Sequence, residues 1–298
     1  MKNRLNWRTA CAVTASASGV CFASGRTAAF FFMQTGRMSW FGVFAAALVF
    51  GALTGGICAL VQRTGAHSVC GMCARAVGVR FGAAVCALHM LLTAAVALAM
   101  LNAAGKAAAL SLPVHNAYGM GALGAAAAAL FLCLRNMRGM DGFGRLTLAV
   151  CGVFFAAMAL DPSEVRFLRR FETVSLLENS AAGAAVLGML FGALCALVCA
   201  DAAVRRAGAE VSPARFGFRC GLILLGQLLA ANAALLRGGK KLLSLAEPMA
   251  ALAARWGKNG FYACITVMFL CAAATLAACA GALANAGMRR RKMTKKPC

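Results

Sequence analysis

One short stretch, residues 19–25, has the composition of a ligand site and lies inside the first long apolar segment. Gly19 and Gly25 bracket this stretch, and Ser24 lies within it. Glycines lower the cost of unwinding a helical turn, and in hydrocarbon the freed carbonyl and N–H groups need a new partner. Breaks of this kind form the substrate and ion sites of many secondary transporters. The stretch therefore predicts a broken helix with a small-ligand site; the alternative is that both glycines only allow close helix packing.

Arg26 follows this stretch directly and is the charged residue nearest to it. An arginine at membrane depth has to snorkel to the interface, pair with an acid or meet an anionic ligand. Glu178, at the start of a later apolar segment, is the candidate acid. The other polar residues at membrane depth, for which hydrogen bonds between helices are expected, are Thr14, Ser16, Ser18, Thr27, Asn102, Gln227, Asn232 and Thr275.

Enzyme chemistry lacks the residues that it would need. The acidic residues lie almost all at the ends of apolar segments or between them, and no pair of aspartates lies inside one segment. The HExxH, GxSxG and P-loop motifs are missing from the sequence. His89 stands alone in an apolar segment, where a hydrogen bond to a neighbouring helix is expected. We therefore expect no catalytic residues and no enzymatic activity.

The fifteen cysteines do not predict a disulfide framework. Most of them, Cys86 included, lie in apolar segments, where cysteine behaves as a small hydrophobic residue. The exception is a group formed by His67, Cys70 and Cys73, which could supply three zinc ligands or a redox pair. No fourth ligand is near in sequence, so we expect no metal site and keep a metal or redox role as the alternative.

The candidate residues are predicted to lie on membrane-spanning helices. The chain is 62% hydrophobic, and each span needs roughly 20 mostly apolar residues. No polar stretch is long enough for a soluble domain, so we predict one transmembrane domain over residues 1–298, with a basic tail at 289–298. Eight spans are predicted, at residues 10–33, 39–62, 81–104, 117–134, 146–161, 178–200, 217–236 and 260–287.

The N-terminus has two interpretations. Basic residues followed by an apolar run and Ala15-Ser16-Ala17 imitate a secretory signal with its cleavage site. The apolar run continues to Met33, so we predict that it is retained as the first span. Placing the N-terminus in the cytoplasm puts most Lys and Arg residues on the cytoplasmic side, and the positive-inside rule then predicts both termini there.

The net charge of +22 does not require a nucleic-acid partner. Topology accounts for much of it, and the sequence offers no soluble domain or aromatic platform on which a nucleic acid could bind. The basic tail is expected to act as a topology signal, with contact to anionic lipid headgroups as the alternative. The predicted partners are therefore the lipid bilayer and a small-molecule substrate, and the sequence names no protein partner.

Three segments, in order and spacing, resemble the YkvI-like membrane proteins, which are bacterial relatives of amino-acid/cation symporters with a LeuT-type fold. Residues 19–25, running on to Gly36, resemble that family's opening G-A-G-F-A-S-G-Q-E segment. Residues 104–121, with Leu112-Pro113, resemble its G-L-P loop, and Ala246-Glu247-Pro248-Met249 resembles its E-I-P-M segment. The resemblance covers nearly all of the chain. It implies an all-α, LeuT-like bundle in the bacterial inner membrane, with about eight spans and a broken first helix.

The resemblance also implies roles for individual residues. A cation site would use Ala23 and Thr275, with a sodium ion or a proton as the coupling ion and no other cofactor. Arg26 and Thr27 stand where the family has Gln and Glu, alanines replace two cation-site hydroxyls, and the family continues for two more spans. The expected function is secondary transport of a small amino-acid-like solute across the bacterial inner membrane. These departures argue against ordinary sodium coupling and keep a non-transporting scaffold or accessory protein as the alternative function. The implied substrate site comprises Gly19, Cys21, Phe22, Ala23, Ser24, Gly25, Arg26 and Glu178.

Overall fold

The computed structural model describes residues 2–23, 25–134, 136–160, 180–206, 211–238, 242, 245 and 247–293. All regular structure in this part of the chain is helical, because a helix satisfies its backbone polar groups within one segment, as hydrocarbon requires. The helices are α1 (Lys2–Phe22), α2 (Arg26–Phe32), α3 (Ser39–Thr64), α4 (Val69–Val77), α5 (Val79–Ser111), α6 (Ala117–Leu134), α7 (Asn136–Leu160), α8 (Ala181–Arg206), α9 (Pro213–Gly238), α10 (Pro248–Ala253) and α11 (Gly257–Met293).

Helix length and outer surface identify a multi-pass helical membrane protein. Six stretches within the described residues are long and apolar enough to cross a membrane. Their outward faces carry large apolar side chains: Leu98 is 68% exposed, Leu123 on the shorter α6 is 73% exposed, and Leu160 is 77% exposed. The predicted helical membrane class is confirmed, while the predicted count of eight spans stays a prediction. The six stretches are Arg26–Thr64, Val79–Ser111, Asp141–Leu160, Ala181–Arg206, Pro213–Arg237 and Pro248–Ala284.

Small residues hold the largest helix contacts together. α3 packs along both α8 and α9. A Cβ atom at Gly42 would lie 2.7 Å from the carbonyl oxygen of Ala184, and one at Gly51 would lie 2.8 Å from that of Gly217. Backbones can approach this closely only where side chains are small, which is how helices associate in lipid.

The first helix lies in the centre of the bundle, against α7, α8, α9 and α11. Every side chain from Ala12 to Ala23 is buried. The hydroxyls of Thr14, Ser16 and Ser18 donate to carbonyls of their own helix, at 3.0, 3.0 and 2.6 Å. The carbonyl three or four residues back is the nearest acceptor for each hydroxyl. Thr14 and Ser18 also form side-chain hydrogen bonds with Cys220 of α9 and Cys271 of α11, as expected for polar groups between packed helices.

A disulfide joins Cys70 on α4 to Cys86 on α5. In the sequence these two cysteines belong to different groups, but the turn at Gly78, with φ of 86°, folds α4 back against α5. Cys73 is a free thiol. Among the described residues, no group of three or more His, Cys, Asp or Glu side chains is arranged to hold a metal ion.

Candidate functional site

The first apolar segment is broken within the predicted stretch. α1 ends at Phe22 and α2 begins at Arg26, and Gly25 between them has φ of 73° and ψ of −8°. This left-handed conformation is one that glycine adopts without the penalty that a Cβ brings. On either side the helical hydrogen bonds are kept: the Ala23 N–H donates to Gly19 O at 3.0 Å, and the Ala29 N–H donates to Gly25 O at 2.8 Å. Gly25, rather than Gly19, is therefore the glycine whose backbone conformation allows the helix to break.

The break is held in place by α10. A Cβ atom at Gly25 would overlap the Met249 side chain and lie 3.2 Å from its Cβ. Met249 is fully buried, and Pro248 fixes the start of α10 just before it. The break and the segment from Glu247 to Ala253 are therefore packed against each other.

Gly19 allows a close approach of three helices. Its N–H donates to the hydroxyl of Thr275 on α11 at 2.8 Å. A Cβ atom at Gly19 would lie 2.5 Å from that hydroxyl oxygen and 2.6 Å from the sulfur of Met100 on α5. Ala23 packs in one apolar cluster with Ala272 and Leu276 of α11. The structure therefore brings the two predicted cation-site residues, Ala23 and Thr275, to the same side of α1.

A cavity of about 400 Å³ lies at the break. Its volume is within the range of pockets that bind small molecules. Arg26 and Asn102 in its wall are exposed and Glu247 is partly buried, so the cavity reaches the surface of the bundle. It is lined by Gly19, Ala23, Arg26, Thr27, Phe30, Ala99, Met100, Asn102, Ala103, Lys106 and Glu247.

Glu247 is the carboxyl group of this cavity. Burial raises its pKa to about 7, against the opposing effects of Lys106 and then Arg26. Its Oε2 atom is buried and has no hydrogen-bond partner within the described part of the chain. A carboxylate kept from water without such partners is destabilised relative to the neutral acid. The site therefore combines two basic side chains with one carboxyl that can change its charge near neutral pH.

This pKa predicts how stability depends on pH. The folded-state pKa of about 7 lies above the ordinary value of 4.5, so the folded protein binds this proton more tightly than the unfolded chain. The stabilisation is complete below about pH 4 and is lost as the pH rises through about 7, and with screening of a half-exposed group it amounts to about 1–2 kcal/mol. Thermal unfolding of the purified protein across this pH range measures it, and Glu247→Gln should flatten that part of the profile. An identical slope in the variant would contradict the assignment to Glu247.

Three of the predicted substrate-site residues, Cys21, Phe22 and Gly25, are buried and are not part of the cavity wall. The Cys21 sulfur is 3.6 Å from that of Cys195, and the Phe22 ring centroid is 4.8 Å from that of Phe155. Gly19 and Ala23 share one face of α1 because they are four residues apart, whereas the residues between them point elsewhere. Ser24 and Glu178 lie outside the described residues, so the predicted pairing of Arg26 with Glu178 stays a prediction.

Lys106 and Glu247 were missed as site residues. Glu247 had a local signal, since it directly precedes the proline that opens a helix. Lys106 had none beyond its position two residues after the predicted third span. The helix that carries it packs against Gly19 through Met100, and only that packing brings the Lys106 side chain to the cavity.

A second group of ionisable residues lies around the C-terminal end of α8, away from the cavity wall. Arg206 donates two hydrogen bonds to Asp141 Oδ1, at 2.8 and 3.1 Å, and Asp201 pairs with Arg205 one turn away. The Arg206–Asp141 pair connects α8 to α7, whereas Asp201 and Arg205 both lie on α8. His89 on α5 is buried, and neither ring nitrogen has a partner among the described residues, so the expected hydrogen bond to a neighbouring helix is not found.

Comparisons with protein-family models, curated proteins and solved structures find no match to this chain. The resemblance to the YkvI-like family therefore stays a prediction. What the fold offers for assigning a function is the geometry of the break: an interrupted helix, a cavity of small-molecule size, and charges of both signs in its wall.

Proposed function

We propose that this chain is a secondary transporter of a small amino-acid-like solute across the bacterial inner membrane. The observation that carries the proposal is the cavity of about 400 Å³ at the α1–α2 break, with Arg26, Lys106 and Glu247 in its wall. Unwound backbone beside a solute-sized cavity is the arrangement used by carriers that work by alternating access. The proposed architecture is LeuT-like, with about eight spans, YkvI-like ancestry and both termini in the cytoplasm.

The charges in the wall suggest how such a solute would be bound. Arg26 and Lys106 complement a carboxylate, for which charge-assisted hydrogen bonds are the strongest available contacts. The last carbonyls of a helix have no partner within that helix, so those at the end of α1 are the groups that would accept hydrogen bonds from an ammonium group. A solute that carries both groups, as an amino acid does, would use both sides of the break.

One observation favours the alternative of a non-transporting scaffold. Part of the break is filled by packed groups: Cys21 against Cys195, Phe22 against Phe155, and Gly25 against Met249. A scaffold would keep these contacts and use the apolar outer faces for a membrane partner. It would not need two basic side chains and a carboxyl around an accessible cavity, and for that reason we place transport first.

The test is thermal stability of the purified protein with single L-amino acids and small carboxylic acids, each in sodium and in potassium buffer. A ligand that binds only the folded state at a hundredfold over its dissociation constant stabilises by about 2.7 kcal/mol. Lys106→Met should weaken binding by about tenfold, which corresponds to about 1.4 kcal/mol. Lys258→Met is the matched control, since Lys258 is exposed on α11 and is not part of the cavity lining.

Three outcomes separate the two functions. Stabilisation by one class of amino acid, weakened in Lys106→Met and kept in Lys258→Met, would support the transporter. Equal stabilisation of the two variants by the ligand would show that the binding site is not this cavity. No response to any compound would favour the scaffold.

A further inference from the structure

Glu247 lies at the start of α10 and contributes a carboxyl group to the cavity. It occupies the residue before Pro248, where its carbonyl accepts from Ala251 N–H at 3.1 Å and anchors the start of α10. Its carboxyl group lines the cavity, and Oε2 is buried with no hydrogen-bond partner among the described residues. A carboxyl held in this way can lose its charge by binding a proton without breaking a hydrogen bond at that oxygen.

The groups that face Glu247 come from several helices. Arg26 of α2 and Lys106 of α5 line the same cavity, and the Cys264 thiol of α11 lies within electrostatic range of the carboxylate. Other neighbouring elements carry basic residues that are not part of the cavity lining: Arg215, Arg219 and Arg237 on α9, Arg255 in the turn after α10, and Lys258 on α11. Burial outweighs both cavity cations and holds the pKa of Glu247 at about 7.

The predicted cation site offers few ligands for sodium. The Thr275 hydroxyl accepts the Gly19 N–H, which occupies one of its two lone pairs. Alanine stands at positions 274 and 278 beside it, so these side chains supply no oxygen. Hard cations are bound by several oxygen ligands together. A titrating carboxyl in the cavity is therefore the better equipped of the two groups to bind a coupling ion.

We propose that Glu247 is the coupling site of this transporter and that the coupling ion is a proton. The inference rests on the proposed transport function. In the coupling step a proton from the medium binds the carboxylate and forms a neutral carboxylic acid, and no other bond is made or broken. Loss of this negative charge releases Arg26 and Lys106 to bind the carboxylate of the solute. Proton and solute then favour each other's binding reciprocally, as linkage requires, and they cross the membrane together.

The first part of the test measures the proton itself. Infrared titration of the purified protein should show a protonated carboxyl C=O band that disappears around pH 7, a pH at which an ordinary Glu is fully ionised. Glu247→Gln should remove this band, and Glu247→Asp should keep a titrating band. A band that disappears only near pH 4 in the unchanged protein, or one that persists in Glu247→Gln, would overturn the proposal.

The second part measures coupling in sodium-free proteoliposomes with a mixture of radiolabelled L-amino acids. An inward proton gradient should drive accumulation in the unchanged protein. In Glu247→Gln, proton-driven accumulation should fall at least tenfold. The variant should still exchange internal for external radiolabelled amino acid, because exchange needs no net proton movement. Accumulation driven by sodium but not by protons would overturn the coupling proposal alone. Absence of both accumulation and exchange in the unchanged protein would contradict the transport function, and the infrared titration would still decide whether Glu247 binds the proton.

Discussion

Gly217→Val should destabilise the protein by about 3 kcal/mol, because the new side chain has to enter a contact between two helix backbones. A Cβ atom at Gly217 would overlap the carbonyl oxygen of Gly51 and lie 3.0 Å from Gly55 Cα and 3.1 Å from Gly55 N. Backbone atoms cannot rotate away as a side chain can, so α3 and α9 must separate. A loss of this size corresponds to a fall of about 10 °C in the midpoint of thermal unfolding.

Gly226→Val is the matched control, because Gly226 lies on the same helix and no atom lies within 4 Å of a Cβ built there. Both variants carry the same change in helix propensity from glycine to valine, so the difference between them isolates the contact with α3. Equal midpoints of thermal unfolding for the two variants would show that α3 and α9 do not pack as closely as in the structure.

Gly25→Ala should destabilise the protein by about 3 kcal/mol and weaken any ligand response at the cavity. A left-handed φ costs a residue with a Cβ about 1–2 kcal/mol, and displacement of the buried Met249 side chain adds about 1–2 kcal/mol. Gly25 has φ of 73°, and its Cβ would overlap Met249. The backbone of the break would have to shift, which moves Arg26 in the cavity wall. Thermal unfolding with and without the stabilising solute measures both effects.

Gly65→Ala separates the two contributions. Gly65 has φ of 60° and ψ of 26° at the end of α3, and the nearest atom to its Cβ would be an Arg75 nitrogen at 3.6 Å. In this variant the alanine adopts the left-handed backbone conformation without a steric overlap, so we expect the free energy of unfolding to fall by about 1 kcal/mol. A loss as large as that of Gly25→Ala would mean that the contact with Met249 contributes little.

The candidate site was predicted in part. The break, its closing glycine and Arg26 follow from the local sequence, because a glycine pair and a charge within one apolar run are visible without the fold. The roles of the individual residues were harder to predict. Gly19 and Ala23 line the cavity, whereas Cys21 and Phe22 are in the core, since the direction of each side chain depends on where neighbouring helices lie around α1.

By itself, the sequence determined that this protein is a helical membrane protein with an interrupted first apolar segment. Both are local properties. The length of an apolar run determines which segments can cross hydrocarbon, and glycine determines where a helix can be interrupted. Only the tertiary structure decided that Lys106 and Glu247 stand at the break, that Thr275 accepts the Gly19 N–H, and that Cys70 meets Cys86. These contacts depend on the rotation and crossing of helices, which small residues scattered over distant segments determine together. No local pattern contains that information.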